Sequence, residues 1–316
     1  MGNKITDIAK AAGVSIATVS RVYGKHPYVK ENLRTRVFKA AQDLNYAPKF
    51  NIAKNTFAIL TGSPNGIHLG NFESALIRAI SIELFKVDYN VQIITEKFLP
   101  FLHSKTFSGV IDIRYSSEKN IPDSAPPFLT VNHPRKGVHS VATDHAQGLE
   151  LAVDYLAKKG HKKISFISGN SENWGNRERF NGYKRGLEKN GIEFDKLLFG
   201  VTSNDGLTET VLSIMKKKPT AIIVSGEGCA HRLNYSLYLL DEKIPEDVSV
   251  ITFEDVDVSQ FLTPPHTTIS QNMPKLAEAI AQTALEISKT DTGNKSIKDV
   301  ILENELIERE SVKDLT

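Results

Sequence analysis

Cysteine occurs once in 316 residues, at Cys229, so the chain forms no internal disulfide and cannot assemble a paired-cysteine zinc site or an iron–sulfur cluster from thiolates. Long hydrophobic runs are missing as well: nothing approaches the roughly 18 apolar residues of a membrane span, and the N-terminus MGNKITDIAKAAG has no apolar core with a cleavage site. Neither short repeats nor low-complexity tracts occur. These absences predict a soluble protein of a reducing compartment, the cytoplasm, with no membrane partner. With 40% hydrophobic and 24% charged residues, what remains is globular usage that excludes fibrous and broadly disordered classes.

Net charge is small too, at +2, but it is unevenly placed. Residues 1–55 hold ten Lys or Arg against Asp7, Glu31 and Asp43, a net of +7, while the remainder holds 29 basic and 34 acidic residues, a net of −5. A basic head on an acidic body favours a polyanionic partner for the head, because each phosphate that is neutralised releases counterions.

The head reads as three short helices. Ile5, Ile8, Ala9 and Ala12 recur at helical spacing, with Thr6 and Asp7 in the first turn, and Gly13 ends the run. Ser15 is an N-cap for a second helix reaching Tyr23, and a third spans about Glu31 to Leu44 after a loop at Gly24 to Pro27. Helix, glycine turn and helix at this spacing form a helix-turn-helix, whose second helix enters the major groove of double-stranded DNA. On that helix Ile16, Ala17, Ser20 and Arg21 share one face, leaving Val19 and Val22 for the core. Arg21 suits guanine, and Ile16 and Ala17 suit a thymine methyl. Ser15, Thr18, Ser20, Tyr23 and Asn32 suit phosphate oxygens, and Thr6 completes the DNA-binding set.

Past Pro48 the period changes. FAILT (57–61), NVQIIT (90–95), GVIDI (109–113), KISFIS (163–168), TAIIVS (220–225) and VSVITF (248–253) read as strands. Between them lie helical stretches at Glu73–Val87, Gln147–Lys159, Arg177–Asn190 and Leu207–Lys217. The alternation predicts parallel sheets of β-α-β units, and about 260 residues suit two similar lobes around a cleft. Enzyme signatures are weak. GSPNG (62–66) lacks the Lys-Ser/Thr of a phosphate loop, SGEG (225–228) is no dinucleotide fingerprint, no G-x-S-x-G elbow occurs, and the nine histidines are scattered. Cys229, two residues from His231, reads as a small buried hydrophobe. Neither an enzyme nor a cofactor or metal is expected.

The strings TDIAKAAGVSIATVSRV and VKENLRTRVFKAAQDLNYAP resemble the head of the LacI/GalR family of bacterial transcription regulators. The resemblance continues through VATDHAQG, KKGHKKISFISG, RFNGYKRGLEKNGI, PTAIIVSGE, IPEDVSVITFED, LTPPHTTISQ and LIERES, covering nearly the whole chain in order. It implies an α/β chain with a three-helix helix-turn-helix head at 1–48, a linker at 49–55 and a two-lobed periplasmic-binding-protein-like body of doubly wound parallel sheets at 56–316. Lobe 1 would comprise about 56–143 with 271–296, and lobe 2 about 144–270 with 297–316. The implied protein is a homodimeric repressor whose affinity for operator DNA is set by a small effector between the lobes, coupled reciprocally to DNA. A sugar is the favoured effector. A purine or sugar phosphate acting as corepressor, a regulator without ligand control, and a transport-type receptor body are the alternatives.

Two departures stand out. Family members commonly carry an Ala-Arg-x-Leu hinge helix after the head's proline. Here only Lys49 to Asn55 intervene, so the hinge is expected to be truncated or absent, with Phe50 or Ile52 as candidate wedges. The segment EKFLPFLHSKTFS between two strands leaves little room for a helix, so lobe 1 is expected to be trimmed.

In an open α/β sheet, ligands lie at the carboxyl ends of the strands. There Arg179 matches the family arginine that binds sugar hydroxyls, with an ion pair to Glu178 or Glu172 as its plainer use. Trp174 in the same loop would stack on a sugar or anchor the loop. Gly226 and Glu227 replace the usual Asn-Asp, Glu254 stands for the sugar-binding Asp with Asp255 beside it, and Asp144 matches a family Asp at the crossover. Asn65, His68 and Asn71 are the candidates from lobe 1.

Overall fold

The computed structural model describes residues 4–23, 28–44, 46, 55–62, 71–102, 107–114, 121, 125–169, 173–202, 206–253, 258–289 and 296–316. In the head, α1 (Ile5–Ala12), α2 (Ile16–Tyr23) and α3 (Glu31–Asp43) bury Ile8, Ala9, Ala12, Val19, Val22, Val37, Ala40 and Ala41 against one another. Gly13 ends α1 with φ 60° and ψ 43°, a left-handed conformation that glycine adopts without steric cost. Ser15 Oγ caps α2 by accepting from the Thr18 amide at 3.0 Å.

The body holds two six-stranded sheets. The first runs β11–β5–β4–β3–β1–β2, built from β1 (Thr56–Thr61), β2 (Asn90–Thr95), β3 (Gly109–Asp112), β4 (Phe128–Val131), β5 (His139–Thr143) and β11 (Asp299–Leu302), all paired in parallel. The second repeats that plan as β12–β10–β9–β8–β6–β7. Its strands are β6 (Ile164–Ser168), β7 (Phe199–Val201), β8 (Ala221–Ser225), β9 (Ser249–Phe253), β10 (Thr267–Ser270) and β12 (Glu305–Ile307), and there only β12 runs antiparallel to its neighbour. Runs such as AIIVS are buried at every residue, as parallel strands covered on both faces must be.

Helices α4 (Asn71–Phe85) and α9 (Met273–Lys289) cover one face of the first sheet through Leu76, Ile80, Leu84, Leu276 and Ile280. On the other face a short 3-10 helix at Glu96–Phe101 takes the place of a full helix and supplies Leu99 to the cluster of Ala58, Leu60 and Phe107. The trimmed connection expected of lobe 1 is present. In the second lobe α5 (His145–Lys158) and α6 (Trp174–Lys189) cover one face, while α7 (Leu207–Met215) and α8 (Cys229–Leu239) cover the other. A Cβ on Gly182 would lie 2.0 Å from the Ala146 carbonyl oxygen, so only glycine lets α5 and α6 approach this closely. Cys229 is buried in the core between α7, α8 and the sheet.

Three segments cross between the lobes, and side-chain amides tie them together. Gln271 Oε1 accepts from Asn132 Nδ2 and Thr143 Oγ1, both at 2.9 Å, while Asn304 Nδ2 donates to the Asp144 carbonyl and the Asn304 amide donates to Gln147 Oε1 at 3.0 Å. The third crossing falls between Leu302 and Glu305 rather than at 296–297, because Asp299–Leu302 extends the first sheet beside β5. Residues 297–302 therefore belong to lobe 1, contrary to the expected boundary. Helices α5 and α6 also begin earlier than the periodicity predicts, since Asp144 and Asn173 cap them from outside the apolar pattern, accepting from Gln147 N at 3.0 Å and Asn176 N at 3.3 Å. The loop at 24–27 and linker residues 49–54 lie outside the described residues.

Candidate functional site

The head presents one exposed, largely polar face around α2. Ser15 at the cap and Ile16, Ala17, Ser20 and Arg21 on α2 are exposed, while Val19 and Val22 on its other face are buried. Thr6 and Asn32 are exposed beside it, and Thr18 is half-buried with its hydroxyl 2.9 Å from Ser15 Oγ. Tyr23 is half-buried: its ring packs edge-on against Phe38 at 5.6 Å, and burial, with a smaller contribution from Tyr46, pushes its phenol up. Sequence reasoning passed over Arg36. Its Nη2 donates to the carbonyls of Ala12 at 2.6 Å and Gly13 at 3.2 Å, clamping the turn that aims α2.

In the body the carboxyl edges of the two sheets face each other. The register aligns Ser168, Ser225 and Phe253, the last residues of β6, β8 and β9, in a row on the face covered by α5 and α6. Arg179 stacks its guanidinium over the Phe253 ring at 4.9 Å and donates from Nη2 to Asn176 Oδ1 at 2.6 Å. The ion pair with Glu178 weighed as its plainer use is not what holds it; Glu172 lies outside the described residues. Trp174 is the first residue of α6 rather than a loop residue, and it meets His145 edge-on at 5.3 Å. His145 also packs on Phe253 at 5.4 Å. Burial, then the Arg179 charge, hold its imidazole well below the usual histidine range, with a Gly175 backbone contact opposing weakly, so the ring is neutral. Arg179 and Trp174 thus share one aromatic nest with His145 and Phe253, which sequence reasoning missed.

Across the cleft lie Asp112 and Arg114 at the end of β3. Arg114 is bidentate to Asp112, at 2.7 and 2.6 Å, and bonds Glu96 at 3.0 Å. Beyond β4, His133 is lowered first by burial, with Arg135, Arg177 and Arg114 adding to it against a pull from Asp112. Arg177 belongs to α6, so the two lobes meet electrostatically at this point. They meet again at Glu73 of α4, whose carboxyl is raised by burial and then by Glu227 beyond β8. Glu227 itself is exposed. Asp144 caps α5, a structural use. Asn71 is the first residue of α4, and Asn65, His68, Glu254 and Asp255 lie outside the described residues.

The comparisons follow this division. Residues 4–49 match the bacterial regulatory proteins of the lacI family, and residues 153–312 match the periplasmic binding protein-like domain. The chain belongs to the lacI family. Among lacI-family relatives, the transcriptional regulator MalR of Clostridium butyricum is 29% identical over 97% of this chain and 98% of its own length. The transcriptional repressor PurR of Photobacterium profundum is 28% identical over 98% and 99%. Among solved lacI-type structures, the regulator CelR with cellobiose superposes with a TM-score of 0.72 at 22% identity, covering 98% of this chain and 99% of that one. The lac repressor dimer bound to operator and the anti-inducer ONPF gives 0.71 at 21%, covering 99% and 100%. The protein is a DNA-binding transcriptional repressor of this family, and no described helix is long and apolar enough to cross a membrane.

Proposed function

We propose that the protein is a cytoplasmic homodimer that binds a pseudo-palindromic operator through α2 and releases or tightens it when a sugar enters the cleft. It has a binding role and no catalytic one. The observation that carries the effector assignment is the nest of Arg179, Phe253, Trp174 and His145, in which a fork of donors sits among aromatic rings at the carboxyl edge of the second sheet. On the head, Ile16, Ala17 and Arg21 reach base edges, while Ser15, Thr18, Ser20 and Asn32 position the phosphates. Exposed apolar side chains support the dimer: Ile82, Phe85 and Val87 at the end of α4 with Ile93 on the adjacent edge strand, and Tyr235, Tyr238 and Leu239 on α8. A second copy covers them.

Operator binding measured against a panel of neutral sugars, sugar phosphates and purines tests the reading. Arg179→Ala should abolish the response to the active compound while leaving operator affinity in its absence unchanged. Losing a hydrogen-bonded charge predicts effector binding about 10 to 100-fold weaker. A retained response would remove the nest from the effector site, and a response to purines or phosphates alone would replace the neutral sugar.

A further inference from the structure

Helix α6 has a second polar flank. Arg177 and Asn181 lie on the side of the helix opposite Arg179, since each successive residue turns by about 100°. There a cavity of about 310 Å³ opens between the first turns of α6, the last residue of β6 and the first residue of β7. Phe180 and Phe199, with ring centroids 4.4 Å apart, form its apolar wall, and Arg177, Glu178, Asn176 and Asn181 surround it. Ser168, only 2% exposed, borders it with a hydroxyl that has no hydrogen-bond partner among the described residues. A buried hydroxyl without a partner costs free energy unless something arrives to satisfy it.

We propose that this cavity is an accessory binding site for a neutral carbohydrate ring, separate from the cleft between the lobes. Its size suits a monosaccharide unit. The two phenylalanines face the C–H side of a ring. The guanidinium, carboxylate, two amides and one hydroxyl supply donors and acceptors in balance, as vicinal hydroxyls require. Arg177 and Glu178 cancel in charge, so the site has no excess cation for a phosphate.

The site is wired to the cleft through one side chain. Asn176 lines the cavity and accepts the Arg179 guanidinium, so a ligand that engages Asn176 alters the arginine on the other side of the helix. Occupancy of either site changes the affinity of the other by the same factor. The accessory site stands on its own cavity, and only this coupling rests on the cleft reading.

Calorimetric titration of the full chain with glucose, ribose and cellobiose tests the proposal, with Trp174 fluorescence as a second readout because it is the sole tryptophan. Glucose 6-phosphate and inorganic phosphate serve as charged probes. The expected result is a saturable sugar site that Asn181→Phe abolishes, that Ser168→Val weakens about tenfold, and that Arg179→Ala leaves in place. Ser168→Val should not lower thermal stability, because it removes an unsatisfied hydroxyl rather than a bond. Isotherms that neither Asn181→Phe nor Ser168→Val alters would overturn the accessory site and leave the cleft standing. A site lost in Asn181→Phe but untouched by Arg179→Ala, with no second site present, would overturn the cleft instead. Silence toward all three sugars, or binding of the phosphates alone, would overturn the assignment to a neutral ring.

Discussion

At the carboxyl edge of the first sheet, Arg114 and Asp112 are each 2% exposed and locked into one bidentate pair with Glu96 alongside. At the same edge of the second sheet the described residues show no such lock: Ser168 and Ser225 end their strands with hydroxyls that no described residue satisfies, and Arg179 rests on the Phe253 ring and bonds Asn176. One strand order thus carries two kinds of edge. The first lobe spends its cation internally and presents a rigid wall. The second holds its arginine on a ring and an amide and ends two strands in buried hydroxyls that no described residue satisfies. On the proposed reading, ligand discrimination belongs to the second lobe and the first closes on it.

The largest test of that division is Arg114→Met. It leaves Asp112 and Glu96 without their cation, and removing one partner of a buried pair costs about 3 to 5 kcal/mol. Urea unfolding measures the loss. Native-state hydrogen exchange should place the loosening in β1, β3 and β4, while amides of β6, β8 and β9 keep their protection. Equal loosening in both lobes would mean that the lock also supports the second lobe.

Acid should act in the opposite place. His266 in the second lobe is wholly buried, its carbonyl accepts from Arg309 at 2.6 Å, and burial, then the Arg309 charge, lower its imidazole to about 4. The unfolded chain protonates this ring below about 6.5 and the folded chain does not. Stability present above that pH is therefore lost as pH falls toward 4, by about 3 kcal/mol, and the loss levels off below it. His266→Leu should remove this share of the acid slope, while His145, His161, His133 and His139, also lowered by burial, retain theirs. An unchanged acid limb in the variant would place the acid sensitivity elsewhere.

How much of the two lobes was legible depended on the kind of signal. The three helices of the head follow from Ile8, Val19 and Val37 at helical spacing, and the six long apolar strands follow from their composition. Strands as short as FGV at 199–201 and ELI at 305–307 carry too few residues for a period, and with them went the position of the last crossover. Trp174 read as loop because α6 opens in the polar string NWGN, where a cap rather than apolar periodicity sets the start. Arg179 was visible as a motif residue. Its partners Phe253 and His145 were not, because strand register and the close approach of α5 to α6 at Gly182 bring them to it. Arg36 was hidden for the same reason, since it reaches across more than twenty residues to the turn at Gly13.

The smallest effect probes the contact where the two edges repel. Glu73 on the first lobe is half-buried and faces Glu227 on the second, and burial followed by that charge raises its carboxyl. Bringing the lobes together forces an ionised Glu73 toward a like charge, so the charged form opposes closure and the protonated form permits it. Effector affinity in the native protein should therefore increase as pH falls from neutrality through the raised range of this carboxyl. Glu73→Gln should already show that tighter binding at pH 7, by about two- to fivefold for an interaction of surface strength, with a flatter pH profile and unchanged affinity for operator without effector. Calorimetry at three pH values suffices to see it. If Glu73→Gln binds effector as the native protein does at each pH, the two lobes close without this repulsion, and the wall of the first lobe is as passive in charge as the Arg114 lock makes it in shape.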